Sequence, residues 1–269
     1  MDISTLIMLA ALGACTGFLA GLLGIGGGMV LTPFLTMILA GNVVPNEVGV
    51  HVAIATSLAT IVFTSASSVR AHNARGAVLW NIVLAGAPGI LLGALLGAQI
   101  SGMLSNWAIS LLFGCFVMFS ALRMFFGKKG KATRELPGKV GIVLGGGIVG
   151  SVSSLVGAGG GFISVPLMTA CNVPIHKAVG TSAALGFPIA FAGSIGYIIS
   201  GWNVPGMPEY SLGFLYLPAL FSVAAFSVLT APLGAKLAHS MDTKPLKRIF
   251  ASLLFVLSAY MLLRALTAL

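Results

Sequence analysis

Two glycine clusters are the chemically suggestive feature of this sequence: Gly24-Ile25-Gly26-Gly27-Gly28 and Gly157-Ala158-Gly159-Gly160-Gly161. Each is followed by about a turn and a half of apolar residues and a proline, Pro33 or Pro166. Glycines ahead of a short helix leave backbone N–H groups and the positive end of the peptide dipole facing the break. Without Cβ atoms an oxyanion can approach those amides closely. Gly26, Gly27, Gly28, Gly159, Gly160 and Gly161 are therefore candidate anion-binding positions. Farther along come two matching pairs of hydroxyls, Thr56-Ser57 and Thr181-Ser182, which could add donors. Each pair follows a histidine, His51 or His176, whose ring titrates near neutral pH and could carry a proton or a compensating charge.

Each of these residues also has a plainer role open to it. Glycines in membrane helices serve close packing, and small-xxx-small patterns such as Gly86–Ile90–Ala94 recur here. Helical Thr and Ser can bond back to the preceding turn. The histidines can be interfacial residues at the mouths of spans, and Lys177 an anchor at the membrane surface.

The elements that must position these groups follow from composition. Of 269 residues, 58% are hydrophobic and 7% charged. That is too little charge to clothe a soluble domain, which excludes a soluble enzyme, a nucleic-acid binder and a disordered chain. An all-α integral membrane protein is expected. Six apolar runs are long enough to span a bilayer: 48–69, 77–98, 105–126, 177–200, 213–236 and 246–267. Regions 5–40 and 140–171 are apolar but interrupted by the glycine clusters, so each reads as a broken, re-entrant hairpin. The opening Met1-Asp2-Ile3-Ser4 lacks the basic stretch of a signal peptide, so the first run is read as part of the mature protein.

The sequence is also duplicated. The glycine blocks match at an offset of 133 residues, and the His-Thr-Ser blocks at 125. Two transmembrane repeats are expected, 1–126 and 140–269, joined by a basic cytoplasmic linker, 127–139. A hairpin that returns the chain to its starting side, followed by three crossings, makes the second repeat inverted. In that arrangement 13 of the 14 basic residues fall on one face, as the excess of Lys and Arg in cytoplasmic loops requires. Parallel repeats would split them. Trp80, Trp107 and Trp202 lie near run ends, where an aromatic belt belongs.

The duplicated glycine blocks, each followed by a helix containing Thr-Ser, resemble the TauE/SafE sulfite-exporter family of membrane permeases, over nearly the whole chain. The stretch Val173 through Ser182 is especially similar in style, while Ala55 stands in the first copy where Gly180 stands in the second. The resemblance implies a prokaryotic plasma (inner) membrane permease for sulfite, thiosulfate, sulfoacetate or a related organosulfur anion. The substrate would lie between the two breaks near the midplane, as in transporters built from interrupted inverted repeats. The expected partners are that anion and the lipid bilayer, with homo-oligomerisation left open. No cofactor or metal is expected: Cys15, Cys115 and Cys171 are far apart, with no metal-ligand spacing. A passive anion channel of the same fold is the alternative. A membrane-embedded enzyme would need an oriented nucleophile–base pair, which the sequence does not offer.

Overall fold

The computed structural model describes residues 3–24, 26–126, 136–240 and 244–267, the last without the side chains of 244–247. Most of the expected linker 127–139, with Lys128, Lys129, Lys131 and Arg134, lies outside the described residues. So do Asp2 and the side chains of Lys244 and Lys247.

Among the described residues there are ten helices: α1 (Ile3–Leu23), α2 (Gly28–Leu39), α3 (Gly49–Asn73), α4 (Trp80–Met103), α5 (Asn106–Phe126), α6 (Lys139–Leu155), α7 (Gly161–Ala170), α8 (Ile175–Gly201), α9 (Leu217–Ala238) and α10 (Lys244–Thr267). A small antiparallel ribbon, β1 (Ser211–Leu212) and β2 (Leu215–Tyr216), precedes α9. Seven helices are long and apolar enough to cross a membrane. Six correspond to the uninterrupted apolar runs, and the seventh is α1. The glycine clusters interrupt the helices as the sequence indicates, leaving α2 and α7 as short pieces with Pro33 and Pro166 inside.

Small residues decide which helices meet. Gly13, Gly17 and Gly21 of α1 lie against Val223, Ser227 and Ala231 of α9, so these two helices run parallel. Gly89, Gly93 and Gly97 of α4 lie in the same way against Val143, Gly147 and Ser151 of α6. At these contacts a Cβ would meet backbone of the facing helix. Without a hydrophobic driving force between helices in lipid, such close approach gives the dispersion contact that holds the pair. Close packing of this kind involves glycines outside the two clusters as well as those within them.

At the centre α3 and α8 cross antiparallel, with Leu58 against Gly193 and Ser65 against Gly186. Outside them α5 and α10 are also antiparallel, joined at Gly114–Leu262 and Phe125–Phe255. The contacts are reciprocal: α1 packs on α9 as α6 packs on α4, and α3 touches α9 as α8 touches α4.

Candidate functional site

The two glycine breaks meet. A methyl group at Gly26 would sit 2.8 Å from Gly159 Cα, and one at Gly28 would collide with the Gly157 carbonyl. Gly27 caps α2 with φ 72° and Gly160 caps α7 with φ 76°, a left-handed conformation that side chains disfavour. In each helix the caps' carbonyls already accept from the third and fourth amides, Val30 and Leu31 in α2, Ile163 and Ser164 in α7. The first two amides, Gly28 and Met29, Gly161 and Phe162, have no carbonyl of their own helix to bond. Two positive helix ends thus adjoin one point.

Beside that point is a small cleft, lined by Ala20, Gly26, Gly159, Ala183 and Gly186 and by the hydroxyl-bearing residues Thr64, Ser65 and Ser68. Thr64 bonds Ser227 and its own helix, and Ser65 bonds the Val62 carbonyl. The Ser68 hydroxyl, on a residue only 2% exposed, has no protein partner. Two more buried hydroxyls without partners face the breaks: Thr32 toward Gly157 and Ser153 toward Gly160. Leaving such groups unpaired in a dry interior costs about 1–3 kcal/mol each, so they mark a place where a polar guest would be welcome.

The Thr-Ser pairs are arranged otherwise than expected. Ser57 Oγ donates to the Gly157 carbonyl (3.3 Å) and Ser182 Oγ to the Gly24 carbonyl (2.9 Å). Each serine therefore ties its own repeat's long helix to the break of the other. Thr56 Oγ1 accepts from the Tyr216 amide (3.2 Å) and Thr181 Oγ1 from the Leu79 amide (2.9 Å). These amides sit at the starts of α9 and α4. The four hydroxyls neither bond back to their own helical turn nor point at an open cavity. They hold the breaks and the flanking helices in place.

The two histidines separate. His51 is buried (4% exposed), not interfacial. Its Nε2 reaches the carbonyls of Ser101 and Leu104, both at 3.1 Å. As both partners are acceptors, Nε2 carries the proton. The ring stacks on Phe214, with centroids 5.1 Å apart. His176 is exposed and stacks on His239 at 5.4 Å.

Three groups were missed by motif reading. His72 Nε2 lies 3.0 Å from the Gly21 carbonyl, and its Nδ1 lies 3.1 Å from His239 Nε2. The hydroxyl of Tyr197 bridges Ser101 Oγ (2.6 Å) and the Ser154 carbonyl (3.2 Å). Tyr197 stands 125 residues after His72, and Ser154 stands 133 after Gly21. These are the offsets of the duplication, applied to unlike residues. His239 lies just past α9, where burial, then the neighbouring charges of His176 and Arg75, lower its pKa from the usual 6.5.

Comparison with known proteins fits this architecture. The family model described as "Sulfite exporter TauE/SafE" matches residues 9–261. The chain belongs to this family. A probable membrane transporter protein of Haemophilus influenzae is 38% identical over 262 residues, covering 97% of this chain and 99% of its own. Probable membrane transporter proteins of Methanocaldococcus jannaschii (MJ0441, 27% identical, 95% of each chain) and Bacillus subtilis (YunE, 28% identical, 95% of this chain and 97% of its own) match as well. No solved structure matches the chain. This TauE/SafE chain is thus a multi-pass membrane protein of a transporter family.

Proposed function

We propose that the chain is a secondary carrier for a small sulfur-containing anion such as sulfite, thiosulfate or sulfoacetate, held where the two glycine breaks meet. The observation that carries this reading is the convergence of the α2 and α7 N-termini beside a small cleft whose lining includes one buried, unpartnered hydroxyl, that of Ser68. Helix N-termini bind oxyanions through free amides and the peptide dipole. Hydroxyls can complete such a shell without an arginine, which suits a small anion. Gly26, Gly27, Gly28, Gly159, Gly160 and Gly161 form the cradle. Thr56, Ser57, Thr181 and Ser182 brace it.

Residues 1–126 and 140–269 act as inverted repeats, each a re-entrant hairpin and three spans, with 127–139 as the cytoplasmic linker. Three features support this: reciprocal contacts between halves, the antiparallel crossing of the equivalent helices α3 and α8, and the same relation between α5 and α10. The end that gathers Arg75, His176 and His239, with Lys177 and Lys236 beside them in sequence, is the cytoplasmic face of a prokaryotic inner membrane. Direct contact between the breaks favours a carrier, which must part them to pass its cargo, over a passive channel.

Proteoliposome flux of radiolabelled thiosulfate tests the reading. Valine at Gly27 or Gly160 would meet Thr16 or Ile189 as well as a strained φ, so loss there reports folding too. Ser68→Ala removes a hydroxyl that the protein itself does not use. It is expected to lower flux about tenfold, the worth of a hydrogen bond to a charged ligand, with unchanged thermal stability. Normal flux in Ser68→Ala would refute the cleft as the binding place, and flux that never concentrates anion under any ion gradient would make the protein a channel.

A further inference from the structure

At the end of α3 remote from His51, a second, small cavity is walled on one side by Leu22, Ile175 and Val179 and on the other by His72, His176 and His239. The imidazoles come from three elements: His72 from the last turn of α3, His176 from the first turn of α8, His239 from the end of α9. They form a chain. His72 donates from Nε2 to the Gly21 carbonyl, so its Nδ1 must accept the Nε2 proton of His239. His239 in turn stacks on His176.

We infer that this cavity is a second binding station, distinct from the cleft at the breaks, which takes a small oxyanion together with a proton on the histidine chain. With Nε2 of His72 donating to Gly21, one shared proton satisfies the His72–His239 pair, so neither ring of that pair needs a charge to make its bonds. Adding a proton places a cation beside two further imidazoles and within electrostatic reach of the Arg75 guanidinium. Among the described residues no carboxylate faces it; Glu47 and Glu209 flank other joints, and the only groups α1 contributes here are carbonyls and apolar side chains. Lys177 and Lys236 adjoin in sequence and add positive charge. Among the described residues nothing supplies the counter-charge, and a ligand can. An oxyanion supplies it and gains a charge-assisted hydrogen bond from the imidazolium it stabilises. Proton and anion therefore raise each other's affinity by the same factor.

A transition metal is the other guest that three histidines suggest. The rings meet by stacking and by a nitrogen–nitrogen hydrogen bond, however, and among the described residues no three such side chains converge on one ion. The cavity's apolar wall also suits a weakly hydrated sulfur anion better than a hard cation.

The ligand class rests on the anion-carrier reading, and calorimetry separates the two. Thiosulfate is the probe, because unlike sulfite it does not itself titrate near neutral pH. Titrations of purified full-length protein in buffers of different ionisation enthalpy are expected to show uptake of up to about one proton per anion at pH 7. His239→Gln, at a half-buried site outside the spans, and His176→Gln, at an exposed one, are expected to abolish the uptake. They should also weaken binding about tenfold at pH 6 but not at pH 8.5, in line with loss of one charge-assisted contact. Asp242→Asn, at the carboxylate three residues beyond His239 in sequence, is expected to keep the uptake. Binding without proton uptake, or uptake unchanged in His239→Gln, or uptake lost in Asp242→Asn, overturns the histidine station and leaves the carrier reading standing. No thiosulfate binding by the wild-type protein overturns both.

Discussion

At one end of the crossing helices α3 and α8 His72 bonds His239; at the other, Tyr197 stands in the place corresponding to His72 and bonds Ser101. Both aromatic side chains reach a carbonyl at an equivalent point, Gly21 in α1 and Ser154 in α6. The scaffold is the same and the chemistry is not. Imidazole can gain a second proton near neutral pH, and phenol cannot. The filling of the two ends differs in the same sense. Tyr216 and Leu79 answer to each other through their threonine bonds, so Phe214 and Ala77, each two residues earlier, are equivalent. Phe214 is buried against His51 and Tyr197 and plugs its end. Ala77 is small, and its end retains the histidine cavity. One end is thus filled by packed aromatic rings, and the other keeps a cavity walled by imidazoles.

The comparison can be broken most forcefully at the plug. Phe214→Ala is expected to cost about 3–5 kcal/mol, as for other buried aromatics cut to alanine, and to lower the melting temperature by about 10 °C. Passive efflux of anion from loaded proteoliposomes should rise with it. An unchanged melting curve and tight vesicles would show that Phe214 seals nothing. The reverse experiment, Ala77→Phe, fills the histidine end, where the Ala77 Cβ already closely approaches Gly180. Overpacking is expected to cost about 1–3 kcal/mol and to remove thiosulfate-linked proton uptake. Uptake that survives would separate the histidines from the space Ala77 leaves.

The smallest effect sharpens the comparison through pH. The His239 pKa lies below its unfolded value of 6.5, chiefly through burial and then through His176 and Arg75. Below that value the unfolded chain binds more protons than the folded one, so stability falls as pH drops through and beneath 6.5. Without anion, the wild-type melting temperature is expected to decline by a degree or so between pH 7.5 and 5.5, the group being only partly buried. His239→Gln should flatten the decline. Saturating thiosulfate should reverse it, and a decline identical in both proteins would assign the titration elsewhere.

Much of the scaffold was legible in the residues. The six long apolar runs, the two helix breaks and the pairing of the breaks followed from run length, glycine clusters and a repeat offset. What escaped was whatever depends on contacts between the repeats. Nothing in the local pattern of Gly13, Gly17 and Gly21 names α9 as their partner. The crossing bonds from Ser57 and Ser182 were equally invisible, because a serine in a helix has a nearer carbonyl on offer. His72 and Tyr197 were overlooked for another reason: comparison of repeats by identity rewards what the copies share, and the two ends differ where they are most telling.

The exchanged packing of α1 and α9 bears on how the molecule comes to be made. Gly13, Gly17 and Gly21 find their partner surface only after most of the polypeptide has left the ribosome, whereas α4 meets α6 with only α5 and the segment after it made in between. The first helix must wait in lipid with its groove uncovered until the ninth arrives. Truncated nascent chains ending before α9 should therefore be targets of membrane quality control, however well their own segments have inserted.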